Sequence, residues 1–222
     1  MDERTTLNEI CKLVDDILDT YSTITDKWCE YREKEGIARF NQKSTKISDL
    51  SDKQKSMNAI IRYVSFLNSV QEIRQFDYRK EGFVVNSRVK NINSVQEKYD
   101  DYLSYRPEKG KIQVNKCFND LFGVRAIIDC DNLSTDNVRD ALKDYANVEV
   151  HDKSPSKGKE CIKYTATHLY FKENNYEFRW ELQIWESKNE RANQESHKTH
   201  RYKYRDWESE AMDCDKTLYY SK

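Results

Sequence analysis

Arg88 and Lys90 close a short β-like run, and Ser94 and Lys98 follow at a four-residue step in the segment that comes next. Alternation puts the first pair on one side of a strand, and helical periodicity puts the second pair on one side of a helix. All four can then reach one chain of phosphates, whose several negative charges require convergent cations. Taken alone, the same run also reads as a basic strand end and a solvated helix face. Asp120 and Glu181 are carboxylates, a group that can share a hard divalent cation with phosphate oxygens. Their plain alternatives are a turn or helix-terminal residue and an ordinary exposed strand position. Arg125 sits in Gly-Val-Arg-Ala-Ile-Ile-Asp, residues 123 to 129, a run that reads as a mostly buried strand. An unpaired cation there is costly, so it calls for a phosphate or carboxylate partner, or for an ion pair with Asp129 on the same face. His197 and His200 have a spacing that permits metal binding, but no further ligand is near in sequence, and zinc is not expected.

The elements that must position these groups follow from periodicity. Residues 7 to 34 place Leu7, Ile10, Cys11, Val14, Ile17, Leu18 and Tyr21 at three- and four-residue steps, which predicts an amphipathic helix. After a loop at Gly36 and a polar stretch over 41 to 56, Ile60, Ile61, Val64, Leu67 and Val70 predict a second helix running to about Phe76. From Gly82 a strand leads through Phe83, Val84 and Val85 to Lys90, and a helix capped at Asn93 follows until Pro107. A helix over 135 to 145, capped near Ser134 or Thr135, and a short strand over Val148 to Val150 come next.

Residues 176 to 185 alternate apolar Tyr176, Phe178, Trp180, Leu182 and Ile184 with Glu177, Arg179, Glu181, Gln183 and Trp185, which predicts a strand with one polar face. Leu169 and Phe171 alternate with His168 and Tyr170 before it. Asn174-Asn175 between them predicts a tight hairpin, with Phe171 opposite Phe178, Leu169 opposite Trp180 and His168 opposite Glu181. On that register His168 and Glu181 also read as a simple cross-strand polar pair. Ser187 and Glu190 form a capping-box signal for a last helix reaching about Trp207.

Composition narrows the classes. The chain has 222 residues, 35% of them charged, with only five Gly and two Pro, so long elements and few loops are expected. Apolar residues at 37%, with fifteen Tyr, argue against a disordered chain. Six Cys lack any C-x-x-C pair, and no charged-then-apolar leader precedes them, so a reduced cytoplasmic setting is expected. No apolar run is long enough to span a membrane. The net charge of -1 gives no global pull on nucleic acid, but basic residues cluster at Arg106 to Lys116, Lys153 to Lys163 and Lys188 to Arg205.

Three segments occur together in the order found in the RelA/SpoT synthetase family. The run Arg88-Val-Lys90-Asn-Ile-Asn-Ser94-Val-Gln-Glu-Lys98 resembles its ATP-binding segment. Asn119-Asp120-Leu-Phe-Gly123-Val-Arg125-Ala-Ile-Ile resembles its metal-binding segment, and Glu181-Leu-Gln183-Ile its acidic strand. Tyr164-Thr-Ala-Thr-His168 is similar to its acceptor loop. The resemblance implies an α+β fold: a nucleotidyltransferase-like mixed sheet flanked by helices, with N-terminal helices and a C-terminal helix. Residues 1–80 would form the helical region and 81–222 the catalytic domain, as one compact unit. It implies a pyrophosphokinase that moves the β,γ-diphosphate of ATP to a ribose 3′-hydroxyl, with Mg²⁺ as cofactor. Arg88, Lys90, Ser94, Lys98 and Arg125 would bind ATP, and Asp120 the metal. Glu181 would share the metal or take the hydroxyl proton, and Tyr164, His168 and Gln183 would receive the acceptor, with Tyr164 stacking on its base.

Two departures bear on the acceptor. Trp185 stands where the family usually has a basic residue, and Tyr164-Thr-Ala-Thr-His168 lacks the usual arginine after the tyrosine. An aromatic platform in place of a phosphate clamp suits a nucleobase or polynucleotide end. The pattern resembles the toxic small alarmone synthetases of toxin–antitoxin pairs, which implies the 3′ CCA end of tRNA as acceptor, a block on translation and an antitoxin protein as partner. The alternatives are a small alarmone synthetase using free guanosine or adenosine nucleotides, and a non-catalytic nucleotide- or RNA-binding regulator. Homo-oligomerisation is left open.

Overall fold

A computed structural model describes residues 1–52, 54–107, 109–130, 133–155 and 164–196, the side chains of 51–55 excepted. Helix α1 (Glu3–Lys34) starts where the Asp2 carboxylate accepts the Thr5 N–H, four residues before the expected start. It stops at Gly36, whose φ of 63° turns the chain back so that the Ile37 N–H reaches the Arg32 carbonyl. The polar stretch expected as loop contains a short helix, α2 (Ser48–Asp52), ahead of α3 (Gln54–Ser69).

Helix α3 ends earlier than Phe76. The side chains of Asn68 and Ser69 bond back to the carbonyls of Val64 and Phe66, competing with the helical ladder. A 3₁₀ turn over Glu72–Phe76 takes over, and its three-residue repeat still buries Ile73 and Phe76. Then come β1 (Tyr78–Lys80), which the sequence did not announce, β2 (Phe83–Val89) and α4 (Ile92–Asp100). The cap of α4 is Asn91 rather than Asn93: the Lys90 N–H still bonds across to Leu121, so the chain cannot turn helical until Asn91 accepts from the Asn93 N–H. A single π-helical turn, Asp101–Tyr105, extends α4, followed by α5 (Val114–Cys117), β3 (Phe122–Ile128), α6 (Thr135–Ala141), β4 (Val148–Asp152), β5 (Thr167–Phe171) and β6 (Trp180–Glu186).

The six strands form one sheet in the order β1-β2-β3-β6-β5-β4. Strands β3 and β6 are parallel and all other neighbours antiparallel, so the architecture is α+β with a mixed sheet flanked by helices. One face is apolar: Phe83, Val85, Phe122, Val124, Leu169, Phe171, Trp180, Leu182 and Ile184 are buried. Helices α1 and α3 cover it. Tyr21 meets Trp180 edge-on at 5.3 Å, and the Trp180 indole N–H donates to the Tyr63 hydroxyl at 2.8 Å. The core thus satisfies its few polar atoms internally. No described helix is long and apolar enough to cross a membrane.

The β5–β6 register differs from the tight hairpin. Phe171 pairs with Trp180, Tyr170 with Glu181, Leu169 with Leu182 and His168 with Gln183. The shift is by two residues, and because side chains alternate with period two, every residue keeps its face. The cause lies in the connection. Phe178 leaves the strand to stack on Tyr63 at 4.5 Å, Glu177 is buried between Arg32 and Arg39, and the Gln42 N–H holds the Asn175 carbonyl. Tertiary contacts therefore captured residues that alternation alone assigned to the strand.

Candidate active site

The opposite face of the sheet carries the chemistry in two rows. Register aligns Arg88, Gly123, Glu181, Tyr170 and Glu149 across β2, β3, β6, β5 and β4. The next row is Asn86, Arg125, Gln183, His168 and His151. A cleft of about 220 Å³ opens there, bounded by Arg88, Asp120, Gly123, Arg125, Glu181 and Gln183, and also by Glu190 and Gln194 of the helical segment 190–196. Asp120 and Glu181 therefore meet one cavity on one side of the sheet. The parallel β3–β6 pair makes this possible, because it sets the start of β3, just after Asp120, beside the start of β6.

Gly123 forms the floor between Arg88 and Glu181, its neighbours in the row. A Cβ added there would meet only the Glu181 carbonyl oxygen, at 4.0 Å. Neither packing nor backbone conformation requires glycine, so the missing side chain leaves open space above the sheet.

Asp120 is clamped by two ammonium groups, Lys90 at 2.5 Å and Lys98 at 3.1 Å. Burial would raise its pKa, but the two lysines outweigh that and hold the carboxyl well below the usual range. One carboxylate cannot neutralise both partners. For Lys98, the cost of burial is outweighed by Asp120 and its pKa rises; for Lys90, burial together with the Lys98 charge prevails over Asp120 and its pKa falls. The expected ATP-binding lysines are thus bound to the expected metal carboxylate. Ser94 is half-buried one helical turn before Lys98 and is not among the residues bounding the cleft.

Arg125 is the second cation under strain. Its guanidinium donates to the Gln183 side-chain oxygen at 3.0 Å and lies 3.7 Å from the centre of the Trp185 ring. Among the described residues it forms no ion pair, so the Asp129 pairing is absent. Burial and the nearby Arg88 charge both press its pKa downward.

Glu181 is only 6% exposed and each of its oxygens is engaged. Oε1 faces His168 Nδ1 at 2.8 Å, and Oε2 accepts from the Gln183 amide at 2.8 Å. Burial would raise its pKa, yet these contacts, His168 first, bring it below the ordinary value. On the other side of the imidazole, Tyr164 Oη lies 2.7 Å from His168 Nε2 and accepts from the Trp185 indole at 3.2 Å. Burial pushes the Tyr164 hydroxyl up to about 12. Trp185 is fully buried, so the expected aromatic platform for a nucleobase does not exist: its face belongs to Arg125 and its N–H to Tyr164.

The two carboxylates suit a hard divalent cation: both are ionised oxygen donors on one cleft. No group of three or more His, Cys, Asp or Glu gathers among the described residues, so phosphate oxygens would have to complete such a site.

Some contributors carried a sequence signal that was not followed. Tyr170 falls on the polar face by plain alternation, and Glu190 and Gln194 share a helical face at four-residue spacing. Asn193 had none. It is fully buried and clamps Thr165, accepting from its N–H and donating to its carbonyl, both at 2.8 Å, which pins the segment bearing Tyr164. Cys161, Cys214, His197, His200, the lysines at 157, 159 and 163, the basic run from Lys198 to Arg205 and the part of the expected last helix beyond 196 lie outside the described residues.

No family model and no curated protein matches the sequence. Among solved structures, the chain is similar to a GTP pyrophosphokinase family protein from Streptococcus pneumoniae at 18% identity and a TM-score of 0.41, over 69% of this chain and 78% of that one. It is similar to small alarmone synthetase 1 from Bacillus subtilis at 17% identity and a TM-score of 0.36, over 75% of this chain and 94% of that one. Small alarmone synthetase 2 from the same organism gives 16% identity and a TM-score of 0.32, over 73% and 99%.

Proposed function

We propose that this chain transfers the β,γ-diphosphate of ATP to a ribose 3′-hydroxyl. The observation that carries the reading is a surplus of cations around one cleft: Arg88, Lys90, Lys98 and Arg125 stand against Asp120, Glu181 and Glu190. Lys90 and Arg125, each left short of negative charge, would be relieved by a polyphosphate. In the proposed reaction the 3′-oxygen attacks the β-phosphorus, the bond from that phosphorus to the α,β-bridging oxygen breaks, AMP leaves with the electron pair, and the hydroxyl proton passes to Glu181. Arg88 and Arg125 orient the phosphates, with Lys90, Lys98 and Ser94 on the ATP side. Mg²⁺ would be held by Asp120 and Glu181 and would supply charge neutralisation on the triphosphate. Because the pKa of Glu181 is lowered, it is a better ion ligand than base, and it accepts the proton late.

For the acceptor, the reading is the 3′ CCA end of tRNA, with Tyr164, His168 and Gln183 on that side. With Trp185 buried, the argument from an aromatic platform falls. What remains in support is that Arg88 and Arg125 are the only cations lining the cleft among the described residues, and in this reading both hold the ATP phosphates, which leaves none for a second polyphosphate. Lys109, Lys111 and Lys116 are exposed on the segment leading to Asp120 and suit a nucleic-acid backbone. Such an enzyme would stop translation and would need a neutralising antitoxin protein. The test is to incubate γ-labelled ATP with the protein and, separately, deacylated tRNA, GDP, GTP and AMP. Label on tRNA is expected; label on a free nucleotide would make the chain an alarmone synthetase, and no transfer to any of them would leave a nucleotide- or RNA-binding regulator.

A further inference from the structure

The polar groups of β5 and β6 close into a ring. Trp185 Nε1–H donates to Tyr164 Oη, Tyr164 Oη meets His168 Nε2, His168 Nδ1 meets Glu181 Oε1, and the Gln183 amide donates to Glu181 Oε2. The oxygen of the same Gln183 amide accepts from Arg125, whose guanidinium returns to the Trp185 ring. Hydrogen-bond directions follow from the chemistry of the groups. An ionised Glu181 can only accept, so at 2.8 Å His168 Nδ1 must carry a hydrogen. In a neutral imidazole Nε2 is then bare, and it accepts the Tyr164 hydroxyl hydrogen. Indole nitrogen is donor only, so Trp185 gives to the Tyr164 oxygen and leaves that hydroxyl hydrogen directed at His168. Every link has one direction.

We propose that Trp185, Tyr164 and His168 act in series as positioning residues that hold the Nδ1-protonated imidazole, and thereby the Glu181 carboxylate, in its orientation toward the cleft. This deepens the transferase reading above and rests on it for its consequence in turnover. It also gives Tyr164 a task beyond presenting a ring to the acceptor: its hydroxyl acts on the catalytic carboxylate through His168. Trp185 is then a working part of the site although it is fully buried and reaches no substrate. Groups behind a catalytic or metal-binding carboxylate characteristically cost ten- to a hundred-fold when removed.

The test separates hydroxyl from ring. Tyr164→Phe keeps the aromatic face and removes only the oxygen, and Trp185→Phe keeps an aromatic face for Arg125 while removing the indole N–H together with part of the ring volume. With labelled ATP and whichever acceptor the wild-type chain uses, Tyr164→Phe is expected to lower kcat about ten-fold or more with KM for ATP and acceptor unchanged. The double variant should be no slower than Tyr164→Phe alone, because the links are in series. A Tyr164→Phe enzyme with wild-type kcat, a defect confined to acceptor KM, or additive losses would overturn the proposal. The second measurement is independent of turnover: ¹⁵N spectra of histidine-labelled protein should report His168 as the Nδ1-protonated tautomer, with the Nε2 resonance shifted in Tyr164→Phe, where its hydroxyl donor is lost. An Nε2-protonated His168 in the wild-type protein would overturn the ring. If the wild-type chain transfers nothing while the tautomer result holds, the transferase reading fails and the ring stands.

Discussion

Both faces of β6 are buried from Trp180 to Trp185, and together with those of β3 they are built on opposite terms. On one, Trp180 packs against Tyr21, Phe122 and Tyr63, and its single polar atom finds one hydroxyl. On the other, reached by shifting one residue along the same strands, Glu181, Gln183 and Arg125 spend almost every polar atom on one another and still leave positive charge unmatched. The apolar face is finished by folding. The polar face is satisfied but electrostatically incomplete, which is what a ligand site looks like before its ligand arrives. Burial therefore does not distinguish core from site here; residual charge does.

That contrast can be broken most sharply at Glu181. Glu181→Gln keeps shape and removes the charge, so diphosphate transfer should fall on the order of a thousand-fold while ATP binding stays close to wild type. Unchanged turnover with labelled ATP would remove Glu181 from the reaction. The mirror experiment is Trp180→Ala on the apolar face, which should cost about 4 kcal/mol in urea denaturation and leave kcat of the folded fraction intact. A loss of kcat without a loss of stability would mean the two faces are not independent.

Asp120→Asn sharpens the comparison because it acts on both terms. It strands two buried ammonium groups, and a stability loss of about 3 kcal/mol is expected alongside lost transfer. The pH dependence has a definite sign. The Asp120 and Glu181 carboxyls have folded pKa values below their unfolded ones, so their stabilisation is present above about pH 4 and disappears as pH falls through the folded values. Asp120→Asn should therefore show a shallower loss of stability between about pH 4 and pH 2 than wild type, measured by urea midpoints at each pH. An identical slope would mean that Asp120 is not held by Lys90 and Lys98. The smallest effect is expected at the cleft floor. Gly123→Ala meets no crowded atom, so stability should stay within about 0.5 kcal/mol. A methyl in the open space should raise KM for ATP several-fold, and an unchanged KM would mean the phosphates do not approach that floor.

The sequence by itself determined the presence of the N-terminal helix, the strands that became Phe83–Val89 and Phe122–Ile128, and the alternation that sorts Glu181 and Gln183 from Trp180 and Leu182, because these follow from repeats of 3.6 and two residues that local pattern carries. It also singled out the residues that gather at the cleft, since cations and carboxylates rarely sit in a strand without partners. Tertiary structure alone decided the rest. The β5–β6 register was set by Tyr63, Arg32, Arg39 and Gln42, which lie far away in sequence and pull Glu177 and Phe178 out of the strand. Whether Trp185 would be a platform or a donor depended on which cation and which hydroxyl reached it, and Asn193 became a clamp only when Thr165 was brought beside it. Pattern fixes which face a side chain takes, but its partner there is chosen by packing between distant segments.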